Sequence, residues 1–432
     1  MEGKLVVAAD FGNDKIAIAV ARKDEQNHIE IVDFRQIKSD DSLISNGKIV
    51  DKLSLSREVI AMIKQIENDN NLQIDRLHFA VSPHTLRSEI RKVSVDMNGS
   101  QADANEALIT EAESIDISKS RCVFDVAQLE TSFGDKAEGN FLVIAAQNNV
   151  QLQFMEFISS FLNAYKPKYF VAPLIEAQHF LSNEQKRNKT LLVDIGAGCT
   201  SFVAYHNKFP RLCAVLPLGS KNISDDIEKT FNVSENNAET LKVGMQYGLA
   251  IGKDLRVGEI KITAEELKKV ITSRLDEIFK FIFDELKSQK IDNINEIVLV
   301  GGGAKMKLLP EYLEKFSGIK TRIANFNVTA TDEHRDFNSL QNALLFALLN
   351  DCDEVCGRYI TKNEPQIEPK QETEKEKKQR LKDEERMKKL EEKEKEKEEK
   401  KKNKNRGIRS IFEEIVNKGN GLFDIDNETK IQ

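Results

Sequence analysis

The sequence predicts an α/β fold in which one strand–turn–strand unit is used twice, followed by a charged spacer and a terminal amphipathic helix. Three observations carry this. From Lys4 to about Asp353, apolar runs of strand length alternate with helical periods. Two turns of one design, around Asp10 and Asp194, lie 184 residues apart. Composition then changes sharply near Asn363.

The elements follow in order. Lys4–Ala9 and Ile16–Ala21 are apolar runs with a turn between them, a hairpin signal. Ile29–Ile37 alternates and continues the sheet. Val59, Ile60, Ile63 and Ile66 mark a helix, and Leu77–Val81 a strand. A strand near Arg91–Asp96, a helix near Ala102–Ser114 and a strand at Phe141–Ala146 come next. Leu152–Leu162 is helical, with Phe154, Phe157, Ile158 and Phe161 on its apolar face. Thr190–Ala204 repeats the strand–turn–strand pattern, and Leu212–Leu216 adds a strand. Thr263 with Glu266 forms a capping box ahead of a helix to about Lys290. Ile297–Val300 is a buried strand ending in glycines. Leu308–Phe316 and Leu340–Leu349 are helices.

Beyond the body, Lys370 to Asn405 holds 16 basic and 12 acidic residues but only Leu381, Met387 and Leu390 as large apolar ones. Such a stretch cannot build a core. Glu374 with Lys378, Glu384 with Lys388 and Glu391 with Lys395 are spaced for a solvated helix. Helix or coil, it is a spacer. From Arg406 to Lys418, Ile408, Ile411, Phe412, Ile415 and Val416 recur at i, i+3, i+4, i+7 and i+8, the pattern of an amphipathic helix. Arg409 and Lys418 flank its apolar face, where basic side chains can reach anionic head groups. Gly419 is a C-cap candidate.

Of the 432 residues, 40% are hydrophobic and 31% charged, enough apolar residues for several cores. The net charge of −7 argues against a nucleic-acid binder. The sequence gives no signal-peptide pattern and no apolar run long enough to span a membrane. Cys352 and Cys356 have no second Cys or His pair beside them. With Cys122, Cys199 and Cys213 they read as reduced thiols rather than a zinc motif.

The chemistry sits in three turns. The first runs from Val6 through Asp10, Phe11, Gly12, Asn13 and Asp14 to Lys15. The second runs from Leu191 through Asp194, Ile195, Gly196, Ala197, Gly198 and Cys199 to Thr200. The third is Gly301-Gly302-Gly303-Ala304 after Ile297–Val300. Glycines let a backbone approach a phosphate with its N–H groups turned to the oxygens. An aspartate beside a triphosphate requires a divalent cation between them. One such turn alone is most simply an Asp-Gly hairpin, but three in this order point to a nucleotide. No Walker-type loop competes: Gly252-Lys253 is followed by Asp254. No nucleophile–base signature and no histidine ligand spacing is present.

These motifs resemble the actin-like ATPase superfamily and, within it, the FtsA family of bacterial cell-division proteins. Asp10–Lys15 and Asp194–Thr200 look like its two phosphate loops, and Gly301–Ala304 like its adenosine-side loop. The stretch around Gly219 and Ser220, with Asn222 and Asp225, resembles the segment after the second loop. Ala238-Glu239-Thr240-Leu241-Lys242 resembles an A-E-x-L-K motif whose Glu and Lys reach adenosine. The resemblance also covers the tail, since FtsA is similar in ending on a linker and a membrane-targeting helix. Three departures stand out. Cys199 and Ser201 replace a usual Thr and Asp. Ala172 stands where a superfamily Glu commonly precedes a proline, here Pro173; Glu176 follows one helical turn later.

The resemblance implies a two-lobed actin-like fold with duplicated RNase H-like subdomains. Residues 1–81 would begin the first lobe. Residues 82–165 would form the inserted small α+β subdomain. Residues 166–355 would supply the second lobe and the return to the first. The charged linker would be 356–405, the amphipathic membrane-targeting helix 406–418 and a flexible tail 419–432. It implies ATP and Mg as ligands. Asp10 and Asp194 would hold Mg through water. Gly12, Asn13, Lys15, Gly196, Gly198, Thr200, Gly219, Glu239, Lys242, Gly301, Gly302 and Gly303 would bind nucleotide, with ATPase activity weak at most. It further implies actin-like self-association, FtsZ filaments and other divisome proteins as partners, no nucleic acid, and the cytoplasmic side of the membrane at the division site. The alternatives are an FtsA-like pilus-assembly scaffold and a superfamily kinase.

Overall fold

The computed structural model describes residues 3–97, 99–246, 255–257 and 260–360, and the structural statements below concern these. The expected spacer and the apolar face of Ile408, Ile411, Phe412, Ile415 and Val416, with Arg409 and Lys418, lie outside the described residues.

Two sheets organise the body. In the first, the strand Lys4–Phe11 lies centrally. It pairs antiparallel with Lys15–Lys23 and parallel with His78–Val81, which in turn pairs parallel with Lys168–Val171. The last described strand, Gly357–Tyr359, returns to lie between Lys4–Phe11 and Leu72–Ile74. The body therefore runs past the boundary expected at 355.

The second sheet has eight described strands. Thr190–Ile195 pairs antiparallel with Thr200–His206 and parallel with Glu296–Val300. Strand alternation sends Leu191, Val193 and Ile195 into one core and Leu192 into another. The first of these cores is sealed by the helix Ala264–Ser288, which buries Leu267, Ile271, Leu275, Ile278 and Ile282. That helix starts at the expected capping box: the Glu266 N–H donates to Thr263 Oγ1 (3.2 Å) and the Thr263 N–H to Glu266 Oε2 (3.1 Å). The opposite core, shared with the first sheet, is closed by the helix Ala172–Phe180. Asp194 falls on the Leu192 side of its strand and so faces that helix.

The segment expected as an insertion builds a three-stranded antiparallel unit from Arg87–Asp96, Arg121–Phe133 and Lys136–Gln147. The helix Gln101–Glu113 packs on it through Ala104, Leu108 and Ala112. It joins the second sheet at a single register point, Arg87 opposite Ala214. Arg121–Phe133 escapes sequence reading because Asp125, Gln128 and Glu130 interrupt its apolar alternation.

Candidate functional site

The two acidic turns close identically. The Gly12 N–H donates to the Lys15 carbonyl at 2.9 Å, and the Gly196 N–H to the Cys199 carbonyl at 2.9 Å. Neither glycine has a positive φ, so space is the reason for it. A Cβ at Gly12 would lie 3.0 Å from the Lys15 oxygen, and one at Gly196 2.9 Å from the Cys199 oxygen. Asp10 and Asp194 stand two residues before these glycines, at the ends of central strands. Asp10 lies opposite Ala17, and Asp194 opposite Ser201, whose buried hydroxyl has no partner.

The turns also face each other. A Cβ at Gly198 would fall 2.5–2.7 Å from the Asn13 carboxamide. Asn13 is fixed from its other side: its Nδ2 donates to the Ile44 carbonyl (3.1 Å) and its Oδ1 accepts from the Gly47 N–H (3.2 Å). The second turn is held from behind by the helix Ser220–Phe231. The Ser220 and Lys221 N–H groups donate to the Gly196 and Ala197 carbonyls, each at 2.9 Å. Gly219 permits this, since a Cβ there would sit 2.3 Å from the Ala197 oxygen.

The third turn lies on Asp194 itself. Gly301 adopts φ +85°, and its Cβ would fall 1.9 Å from Asp194 Oδ1. A Cβ at Gly303 would collide with Ile195 at 2.4 Å. Both glycines are accounted for by this packing. Gly302 differs: a Cβ there would meet nothing nearer than Gln341 at 3.6 Å, an ordinary contact, so the protein's own packing does not require this glycine.

Charge accumulates unequally here. Burial raises the Asp10 pKa, opposed by Lys15. Burial and then the neighbouring Asp10 push Asp194 up to about 7. Glu176, 1% exposed, is raised well above the usual carboxylate range by burial, by Asp194 and by Asp10. Its Oε2 has no hydrogen-bond partner. Three acids thus share one desolvated region that is short of positive charge. Lys15 is itself depressed by burial, with Asp10 and Asp14 opposing that and Lys305 adding to it. Lys15 is tied to the side chain of buried Asn342, whose Nδ2 donates to the Asp336 and Phe337 carbonyls at 3.1 Å. This donor set suits a hard divalent cation between Asp10 and Asp194, which would relieve their repulsion. Cys199 is raised to about 12 by burial and Asp194, so it stands as a thiol and not a nucleophile.

Glu239 and Lys242 share one face of the helix Glu235–Gln246, as their spacing predicts. They form an ion pair at 2.7 Å. Ser224 Oγ donates to Glu239 (2.6 Å) and Lys242 Nζ to the Ser220 carbonyl (3.1 Å). The pair is therefore anchored on the helix that supports the second turn. Thr200 is fully buried, its hydroxyl donating to the Leu218 carbonyl at 2.7 Å, which commits it to holding that same support.

The structure adds three side chains that the turn motifs did not include: Glu176, Lys305 and Asn342. Lys305 follows the third glycine run directly and donates to Ser339 Oγ at 3.2 Å. Its position after the glycines was a usable sequence signal. Asn342, 327 residues from Lys15, offered none.

Comparison with known proteins agrees with the sequence motifs. The family model described as "Cell division protein FtsA" matches residues 191–344. FtsA of Porphyromonas gingivalis is 25% identical over 406 residues, covering 84% of this chain and 82% of that protein. FtsA of Buchnera aphidicola subsp. Baizongia pistaciae is 24% identical over 386 residues, covering 80% and 90%. FtsA of Bacillus subtilis is 30% identical over a shorter stretch of 146 residues, 31% of this chain. Among solved structures, the PilM-PilN type IV pilus biogenesis complex aligns with a TM-score of 0.60 at 18% identity, covering 81% of this chain and 98% of that one. That likeness is one of fold, and the fold is the actin-like one that the sequence predicts.

Proposed function

We propose that this relative of the FtsA proteins is an actin-like cell-division protein that binds Mg-ATP where its three turns meet, self-associates, and tethers FtsZ filaments to the membrane through residues 406–418. The observation that carries the nucleotide part is the convergence of the Gly12, Gly196 and Gly301 turns on the Asp10–Asp194 pair. Asp10 and Asp194 would hold Mg²⁺ through water, and the bound cation would neutralise phosphate charge there. Gly302, whose lack of a side chain the protein's own packing does not require, and the paired Glu239 and Lys242 would face the adenosine side.

Cosedimentation of the full chain with FtsZ filaments, with and without Mg-ATP, tests the assembly. A chain that stays in the supernatant under both conditions would favour the second reading, a scaffold of the pilus-assembly kind, which the 0.60 fold likeness permits but does not select. For the adenosine contact, replacing Glu239 and Lys242 together by Ala should weaken ATP binding more than tripolyphosphate binding. Equal losses would assign the pair to folding, through its hold on Ser220 and Ser224.

The anchoring step rests on the tail sequence. Five apolar side chains, Ile408, Ile411, Phe412, Ile415 and Val416, would enter only the interfacial layer. Arg409 and Lys418 would each add at most ~1 kcal/mol on an anionic surface, while Glu413 and Glu414 subtract. One copy should bind weakly and a polymer of many copies strongly, through effective concentration. Phe412→Glu should abolish flotation with anionic liposomes in the presence of ATP and leave ATP affinity unchanged. Equal flotation of both proteins would remove this helix as the anchor.

A further inference from the structure

We propose that His78, Cys352 and Cys356 form a zinc-binding site buried in the core beneath the first sheet. Nothing in the nucleotide reading calls for it, and the two stand or fall separately. The ligand atoms of the three residues all lie within 4.8 Å of one another, and among the described residues no other group of three His, Cys, Asp or Glu does this. The two sulfurs are 3.3 Å apart, and Cys352 Sγ is 3.9 Å from His78 Nε2. Around a tetrahedral zinc with bonds of about 2.0–2.3 Å, neighbouring donor atoms stand roughly 3.3–3.8 Å apart. The Sγ–Sγ spacing lies at the short end of that range and the Sγ–Nε2 spacing just above it, so the side chains would shift by a few tenths of an ångström to take the ion. Both thiols also donate towards the Glu354 carbonyl, at 3.4 and 3.6 Å, so an oxygen lies beside the sulfur pair.

Ordinary packing explains part of this arrangement but not the histidine. A buried cysteine is a small apolar side chain and needs no partner. His78 is 1% exposed, opens a strand paired on both sides, and packs its ring 5.7 Å from that of Phe170. Its polar contact is a sulfur at 3.9 Å, and its Nδ1 has none. Holding an imidazole in such a place costs free energy unless a bond to Nε2 rewards it. A metal on Nε2 would replace the weak sulfur contact there by a bond, with Nδ1 still unpaired. Two thiolates and one Zn²⁺ sum to no net charge, so the filled site is tolerable in the core, and two protons leave on binding. Sulfur donors select zinc over calcium or magnesium. A disulfide would use the two cysteines, which are free thiols here, but would give the imidazole no role.

The site joins residues 274 positions apart. Its cysteines bracket the loop that carries the chain from the helix Ala343–Asp351 into the closing strand Gly357–Tyr359. The Cys356 N–H donates to the Leu5 carbonyl (2.8 Å), and its carbonyl accepts from Asp75 and Arg76. Zinc would therefore fasten the loop that leads into the last described strand to the strand His78–Val81.

The test is Co²⁺ titration of the reduced, full-length protein, followed by displacement with Zn²⁺. The expected result is one Co²⁺ per chain, with sulfur-to-cobalt charge-transfer absorption and intense tetrahedral d–d bands, all lost on adding Zn²⁺. Cys352→Ser and Cys356→Ser should each lose the sulfur absorption, and Cys122→Ser should keep it. Bound Zn²⁺ should raise the unfolding midpoint of the wild type and not that of Cys356→Ser. If the serine variants do not fold, blocking the wild-type thiols with an alkylating agent and repeating the titration gives the same comparison. Folded, reduced wild type without a sulfur band overturns the proposal. So does a band that survives in both serine variants.

Discussion

Asp194→Asn should weaken Mg-ATP binding at least tenfold, a loss of about 1.4 kcal/mol or more, and should make the nucleotide-free protein harder to unfold at pH 8. The two effects share one cause. Asp194 is a desolvated carboxyl beside Asp10, pushed up to about 7. Removing its charge removes a repulsion with Asp10 that a proton or a bound cation otherwise relieves. Asparagine keeps the size of the side chain, so the approach of Gly301 is preserved. The sign with pH follows from proton counting. The folded-state value lies above the ordinary 3.8, so between about 4 and about 7 the folded protein binds more protons than the unfolded chain. Stability from this group is present at low pH and is lost as pH rises through that window. Mg-ATP affinity should move the other way, because the proton competes with the cation. Denaturant midpoints at pH 5 and pH 8, with calorimetric ATP titrations at both, measure all of this. A folded Asp194→Asn protein with wild-type affinity would show that the turns do not bind Mg-nucleotide.

What the sequence revealed, and what it hid, divides along a physical line. The pairs Asp10 with Gly12 and Asp194 with Gly196 are local motifs, closed by hydrogen bonds between residues three apart. Their duplication was legible because each turn builds itself. The helix starting at Thr263 was legible for the same reason, since its cap is a short-range exchange with Glu266. Other partners arrive through tertiary packing. Asn342 reaches Lys15, and His78 reaches Cys352, across most of the chain length. No spacing rule could connect them. Gly301 and Gly303 show a subtler case. The glycine run was legible as a tight approach, but two of its three members accommodate the protein's own Asp194 and Ile195.

Glu176→Gln should cost almost nothing in stability at pH 5, raise stability at pH 8, and lower any slow ATP turnover by about a hundredfold. Sequence alone placed this residue one helical turn beyond the expected position, where Ala172 stands. In the structure the helix Ala172–Phe180 carries it into the core, 1% exposed, within electrostatic reach of both aspartates. With its pKa raised well above 4.5, the carboxyl is protonated in the nucleotide-free protein at mildly acidic pH, and glutamine is close to isosteric with that form. Above that range the wild type bears the cost of ionising a buried acid next to two others, and the variant does not. Stability of the wild type should therefore fall as pH rises above the unfolded-state value, with a shallower slope in Glu176→Gln. A cation beside Asp194 would favour the ionised form, and only that form can accept a proton from a water. Glu176 would then act in turnover despite the absence of a glutamate at 172. Single-turnover ATP hydrolysis and urea midpoints on the same two proteins separate the possibilities. A changed pH slope with unchanged turnover would make Glu176 a buried acid of structural consequence alone. Unchanged slope and unchanged turnover would mean that the aspartates do not sense it.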